Sequence, residues 1–348
     1  MSASDTLHSL GWRAFFQSQV EADSPLRPAR VMHAHRGSID VVHEGGKDKV
    51  MLTGKAGGLG ITVGDWVLLD PEEPLVRCRL GRQSLFQRRA AGTSGELQRI
   101  AANVDTLFVV TSANRDFNLA RLERYLAIAN EAGAFPLVIV TKADLAENVG
   151  DYVRAASELA PGILVEALDA RDAQQVAVLR PWCASGQTVA LLGSSGVGKS
   201  TLVNTLTGDH QPTRAVRDDD QPGRHTTTAR SMHQLPGGGW LMDTPGMREL
   251  QLVNIGDALD DVFTEIAALS QQCRFADCSH DTEPGCAVQA AIEAGQLDSA
   301  RLRRYQKLQA ENRRNSETLA ERRARDKSLG KLYKSVLAGK RHEKNGDY

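Results

Sequence analysis

The chain has no run of about 18 consecutive apolar residues, the length a membrane-crossing helix requires, so no membrane span is expected. Its first residues lack the basic start and apolar stretch of a secretory leader, and a cytoplasmic location is the expectation. Internal repeats are absent, which excludes a solenoid or propeller. Five cysteines are an odd number and too few for a disulfide framework. A net charge is also nearly absent: 42 Lys+Arg face 43 Asp+Glu.

The remaining composition is ordinary. With 348 residues, 41% of them apolar and 24% charged, the chain can build two or three soluble domains, each with a core. The near-zero net charge hides an asymmetry. From Leu297 onward there are 15 Lys+Arg and 7 Asp+Glu, a balance of +8, against 27 and 36, a balance of −9, in the rest. The last fifty or so residues are therefore the part suited to meet a polyanion, although a solvated helical face has the same composition.

Residues 1–25 carry a short apolar set, Leu10, Trp12, Phe15 and Phe16, suited to a helix packing on a neighbour. From Arg30 to Arg89, short β-like runs such as Ser38–Val42, Lys49–Thr53 and Trp66–Leu69 alternate with glycine-rich turns. That spacing suggests a small barrel, plausibly of OB type, a class that commonly binds nucleic acid. From about residue 100 the rhythm becomes α/β, with buried strands at Val104–Thr111, Pro136–Thr141, Thr188–Leu192 and Trp240–Asp243 and an amphipathic helix at Leu119–Ala132. Beyond Gly256 no strand is expected. The fold class expected is thus multidomain, α/β and β. Residues 1–90 form the N-terminal segment and barrel, 91–255 a nucleotide-binding α/β domain, and 256–348 a helical metal-binding domain with a basic tail.

Three short motifs carry the chemistry. Gly193, Ser194, Ser195, Gly196, Val197, Gly198, Lys199 and Ser200, with Thr201 following, fit the phosphate-binding loop G-x-x-x-x-G-K-[ST] between a strand and a helix. Glycines keep side chains away, so successive backbone N–H groups can cradle a β-phosphate. Lys199 would reach the β- and γ-phosphates, and the Ser200 hydroxyl would hold Mg²⁺. Asp243 and Gly246, in Asp243-Thr-Pro-Gly246, have the form of a turn that holds Mg²⁺ through water and senses the γ-phosphate. Thr141, Lys142, Ala143 and Asp144 have the form of a guanine-reading turn. An Asp there accepts from guanine N1–H and the 2-amino group, donors that adenine lacks. Thr141 stands where Asn is usual. Glu166-Ala167 is the candidate for the loop that backs the base, with Glu in place of the expected serine.

The base reader normally follows the other two motifs; here it precedes them. A circular permutation, giving the order base reader, backing loop, phosphate loop, threonine loop, aspartate turn, explains this with one event. The threonine loop is Gly223-Arg-His-Thr-Thr-Thr228, in which Thr226 or Thr227 would offer a hydroxyl to Mg²⁺ when a γ-phosphate is present. Met247 occupies the place of the usual water-orienting Gln, and a thioether cannot orient water. Slow intrinsic hydrolysis is therefore expected, with the missing group supplied by His225 or from outside the chain.

Cys273, Cys278, His280 and Cys286 offer three thiolates and an imidazole within fourteen residues, a closed set for one structural Zn²⁺. Cys78 and Cys183 lie apart and are expected to be packing residues.

Together these residues resemble the RsgA (YjeQ) family of circularly permuted, ribosome-dependent GTPases. The resemblance also rests on Val63-Gly-Asp-Trp66, Ala102-Asn-Val-Asp105, Asp243-Thr-Pro-Gly-Met-Arg-Glu249 and Glu283-Pro-Gly-Cys286, and it spans nearly the whole chain. It implies an OB domain, a permuted GTPase and a zinc domain. It further implies late maturation of the 30S ribosomal subunit, contact with 16S rRNA, and hydrolysis of GTP to GDP and phosphate stimulated by the subunit. A monomer is expected. Two rival readings remain: a nucleic-acid-binding module with a vestigial GTPase, and an ATPase or nucleotide kinase on the same loop. The filled Lys199, Ser200 and Asp243 positions argue against the first, and Asp144 argues against the second.

Overall fold

A computed structural model describes residues 3–89, 97–208, 230–243, 250 and 255–316. The N-terminal segment holds α1 (Ala3–Ser9) and α2 (Ala14–Gln17), followed by β1 (Arg27–His35), β2 (Ser38–His43), β3 (Gly46–Met51), β4 (Trp66–Leu69) and β5 (Val76–Arg79). Here β1 pairs antiparallel with both β2 and β4, β2 with β3, and β4 with β5. Alternation along β4 explains how this sheet serves two cores at once. Val67 and Leu69 point into the sheet's own core with Val31, Ile39 and Val41. Trp66 and Leu68 point the other way, into the core shared with the rest of the molecule. There Trp66 meets Trp12 edge-on at 4.8 Å and Phe16 at 5.7 Å. Leu10 and Phe16 are buried while Phe15 is exposed, so the first residues pack on a neighbour as their apolar pattern suggests.

Next come the antiparallel pair β6 (Leu85–Arg89) and β7 (Leu97–Ala102), then β8 (Thr106–Ser112), α3 (Leu119–Ala132), β9 (Phe135–Thr141), α4 (Val149–Ser157), β10 (Leu164–Ala167) and α5 (Ala173–Val176). The chain continues with β11 (Thr188–Gly193), α6 (Lys199–Thr207), β12 (Arg230–Gln234) and β13 (Trp240–Asp243). Strands β10, β9, β8, β11 and β13 lie side by side, and all their mutual pairings are parallel. Strands β8, β9, β11 and β13 are largely buried and read as continuous apolar runs, as interior parallel strands do, while β10 forms the sheet edge. Leu107 and Val109 of β8 face one core and Phe108 and Val110 the other. Helix α3 has clear ends: the Asn118 side chain accepts from the Arg121 N–H, and Gly133 closes the helix at φ 75°, a conformation that favours glycine.

One connection exceeds the expectation of a separate barrel. Strand β12 pairs antiparallel with β13 on one side and with β1 on the other. Among the described residues, the two sheets therefore form one continuous sheet of eleven strands.

Only helices follow among the described residues: α7 (Gly256–Val262), α8 (Thr264–Ser270), α9 (Ala287–Glu293) and α10 (Ser299–Ser316). Helix α7 packs on α3, and Leu259, Phe263, Ile266, Leu302 and Tyr305 join the buried core that holds Leu122 and Leu126 of α3. The amphipathic pattern of α3 does not reveal that Glu123, on its buried side, is fully enclosed. Glu123 accepts from Arg301 at 2.7 Å and from Arg304 at 2.8 Å, both on α10. Arg301 also donates to the Leu159 and Val262 carbonyls and lies over the Phe263 ring at 4.2 Å. A buried carboxylate is tolerable only when so compensated. No described helix is long and apolar enough to cross a membrane.

Candidate nucleotide site and metal centre

Because β9, β8, β11 and β13 run parallel, their carboxyl ends share one edge, the place where open α/β sheets bind ligands. The Thr141–Asp144 turn follows β9, the glycine-rich Gly193–Ser200 loop follows β11, and Asp243 closes β13. Motifs written out of their usual order thus arrive at one edge.

The phosphate loop adopts the backbone its glycines permit. Gly196 and Gly198 have φ of 77° and 92°, values that strain other residues. A Cβ on Gly193 would lie 2.2 Å from the Val110 carbonyl oxygen, so β8 approaches too closely for any side chain. Lys199 Nζ donates to the carbonyls of Gly193 (2.8 Å) and Ser194, placing the ammonium over the loop. Ser200 and Thr201 follow Lys199 in the first turn of α6, and both are half-buried.

Thr141 is fully buried, and its hydroxyl faces two carbonyls, Val197 O at 2.5 Å and Thr111 O at 2.9 Å. It is therefore a strut between the Thr141–Asp144 turn and the Gly193–Ser200 loop. Lys142 follows in the left-handed region at φ 58°, turning the chain so that Ala143 and Asp144 enter a short 3₁₀ turn. The Ala143 N–H lies 3.4 Å from the Leu168 carbonyl.

Glu166 and Ala167, read from the sequence as a loop, are the last two residues of β10, in register with Ile139 and Val140. The loop beside Asp144 begins at Leu168. It contains Arg171, which no local motif singles out. Arg171 Nη2 donates to Asp144 Oδ2 at 2.7 Å, and its guanidinium is held side-on by Asp169. The Asp169 carboxyl sits below the usual carboxylate range because Arg171 hydrogen-bonds it. Thr205 of α6 donates to the Ala170 carbonyl at 2.7 Å, tying this loop to the phosphate-loop helix.

Asp243 is exposed at the end of β13, in register with Ser231 of β12. His225, Thr226, Thr227, Gly246 and Met247 lie outside the described residues, as does the basic tail beyond Ser316.

In the segment between α8 and α9, the donor atoms of Cys273, Cys278, His280 and Cys286 lie within 4.8 Å of one another. The Cys273 and Cys286 sulfurs are 3.9 Å apart, and His280 Nδ1 is 3.6 and 3.5 Å from them. Tetrahedral ligands at ordinary zinc bond lengths would be separated by about 3.8 Å (S to S) and about 3.5 Å (S to N). The donor set therefore fits one small tetrahedral cation. The tautomer fits as well. Ser270 Oγ spends its proton on the Ile266 carbonyl at 2.7 Å, so it must accept from His280 Nε2 at 2.9 Å. That leaves the Nδ1 lone pair facing the sulfurs. Burial holds the His280 pKa below its ordinary value, against the pull of Glu283, which favours the neutral ligand form. Burial also pushes the lone Cys183 thiol up to about 12, as an inert packing residue should be.

Comparison with known proteins agrees with this geometry. The RsgA GTPase family model matches residues 79–253. The chain belongs to the RsgA GTPase family. The small ribosomal subunit biogenesis GTPase RsgA 2 of Vibrio parahaemolyticus is 48% identical over 344 residues, covering 98% of this chain and 95% of the relative. The small ribosomal subunit biogenesis GTPase RsgA of Mesorhizobium japonicum is 50% identical over 320 residues, covering 90% and 92%. Among solved structures, YjeQ from Thermotoga maritima superposes with a TM-score of 0.60 at 25% identity, covering 81% of this chain and 97% of that one. YloQ, a circularly permuted GTPase, gives 0.57 at 23% identity, covering 86% and 99%, and shares the fold.

Proposed function

We propose that this protein hydrolyses GTP to GDP and phosphate as a late maturation checkpoint on the 30S ribosomal subunit. In this reading it binds 16S rRNA, is stimulated by the subunit, and works as a cytoplasmic monomer. The observation that carries the enzymatic part is the Thr141 hydroxyl on the Val197 carbonyl, which supports a single pocket for base and phosphates. The ribosomal part draws on the relatives' names.

Within that pocket, Asp144 selects guanine, because an adenine offers neither N1–H nor a 2-amino group and would leave the base-facing lone pairs of the carboxylate unpaired, a loss of about 1–3 kcal/mol. The N–H groups of residues 194–200 cradle the phosphates, and Lys199 binds the β- and γ-phosphoryl oxygens. Mg²⁺, when bound with the nucleotide, neutralises charge on those oxygens; Ser200 would hold it directly, Asp243 through water, and Thr226 or Thr227 in the triphosphate state. The Gly246 N–H senses the γ-phosphate. Met247 orients no water, so His225 or the subunit completes the site.

The same reading divides the chain into residues 1–90, 91–255 and 256–348, with the first an OB-type barrel. The pairing of β1 with both β2 and β4 supports such a barrel. Zn²⁺ is the structural ion for the Cys3His centre, one per chain.

Phosphate release from GTP, measured with and without purified 30S subunits and with ATP as competitor, tests the proposal. Slow turnover alone, strong stimulation by subunits and no competition by ATP are expected. Absence of GTP turnover in both conditions, or equal competition by ATP, would refute it.

A further inference from the structure

We propose that Arg171 is a positioning residue for guanine selection, a role that rests on the reading of Asp144 as the base-selecting carboxylate. Arg171 is pinned on one side by Asp169: Nε lies 2.9 Å from Oδ1 and Nη2 2.8 Å from Oδ2. The Arg171 backbone N–H also donates to Asp169 Oδ1 at 2.9 Å, and the Asp169 N–H donates to Gln175 Oε1. The clamp is therefore built from the loop itself. What remains of Nη2 reaches Asp144 Oδ2 at 2.7 Å.

The geometry matters because of what guanine presents. N1–H and the 2-amino group are adjacent donors, and a carboxylate takes both only when its plane is aligned with the base edge. Each carboxylate oxygen has two lone-pair directions. Oδ2 can hold Arg171 with one and guanine with the other, while Oδ1 serves the second guanine donor. A side-on guanidinium anchored by a second carboxylate is a rigid fork, so it fixes the torsion of Asp144 before the nucleotide arrives. Thr205, bonded to the Ala170 carbonyl, carries the same alignment to the helix of the phosphate loop.

Hypoxanthine keeps N1–H but lacks the 2-amino group. Misalignment of Asp144 should therefore cost GDP more than IDP. The test is isothermal titration of the full chain with GDP and with IDP, for wild type, Arg171→Ala, Asp169→Asn and Asp144→Ala. The expected result is a loss of about fivefold in the GDP-over-IDP preference for Arg171→Ala, the upper end for an exposed ion pair. Asp169→Asn should move in the same direction, and the melting temperature should be unchanged because Arg171 is largely exposed. If Asp144→Ala loses the preference and Arg171→Ala keeps it, the positioning role is overturned and base reading by Asp144 stands. If Asp144→Ala keeps the preference, the base-reading assignment falls and the proposal with it. Tighter binding of both nucleotides to Arg171→Ala would also overturn it, by making the guanidinium an obstruction.

Discussion

Replacing Thr141 by valine removes one hydroxyl and almost no volume, which makes it a clean probe of how the two halves of the pocket are joined. Thr141 is fully buried, and its hydroxyl stands 2.5 Å from the Val197 carbonyl and 2.9 Å from that of Thr111. One hydroxyl has one proton to give, so the loss is that of a single donor to a buried carbonyl, about 1–3 kcal/mol. Val197 lies inside the phosphate loop, and a Cβ on the following Gly198 would sit 3.3 Å from the Thr141 oxygen. The loop and the turn are thus in contact, with little slack to absorb the change. Chemical denaturation should show that 1–3 kcal/mol, and a fluorescent GDP analogue should bind about five- to tenfold more weakly, since roughly 1.4 kcal/mol is tenfold in affinity. Thr141→Ser keeps the donor and removes a methyl group. It should lose about 1 kcal/mol of stability while retaining GDP affinity. Equal GDP affinity in the Val and Ser variants would refute the strut.

Four further outcomes follow from particular contacts. Glu123→Ala leaves Arg304 and Arg301 Nη1 without their shared buried carboxylate, with only the more exposed Glu265 remaining on Arg301 Nε, so denaturant unfolding should show a loss of about 3 kcal/mol, whereas Glu123→Gln should lose less. Iodoacetamide at pH 8 should leave Cys183 unmodified, consistent with a thiol pushed up to about 12 by burial; Cys273, Cys278 and Cys286 should react only after a chelator removes the metal, as mass spectrometry would read. Gly64→Ala places a Cβ 2.1 Å from the Ala102 carbonyl oxygen at a φ of +85°, so thermal melting should fall clearly, by more than the roughly 1 kcal/mol strain of that backbone region alone. His225→Ala should keep GTP binding and lose subunit-stimulated turnover; unchanged stimulated turnover would remove His225 from the mechanism.

The α/β half was legible because its signals are local. Apolar runs marked β8, β9, β11 and β13 to within about two residues, Asn118 and Gly133 bracket α3, and the phosphate loop carries its glycines within eight positions. The metal centre was legible for the same reason: four soft donors crowd one short segment. Glu166-Ala167, read as part of a loop, instead ends β10, and that turns on a neighbour relation. Whether those residues extend a strand depends on Ile139 and Val140 beside them, not on their own identities. Arg171 escaped because an arginine in a polar loop looks like solvated surface until Asp144, 27 positions earlier, is folded against it. Glu123 escaped because a charge on an amphipathic helix normally faces water. Its partners lie 178 and 181 residues away, and no local pattern announces them.

Permutation gives these long-range contacts a mechanical consequence. In this chain order, β12 is the strand that follows the threonine loop, and it is hydrogen-bonded on both sides. On one side lies β13, which carries Asp243; on the other lies β1 of the N-terminal sheet. The Val63–Trp66 turn reaches the same place, since a Cβ on Gly64 would come within 2.8 Å of the Met242 side chain, one residue before Asp243. At the opposite end of the domain, Glu123 of α3 clamps α10 through two arginines. Close-packed interiors and paired strands transmit displacement instead of absorbing it. Any change that moves β12 therefore acts on two ladders at once: one leads through β13 to Asp243 and to β11 of the phosphate loop, the other to β1 of the N-terminal sheet.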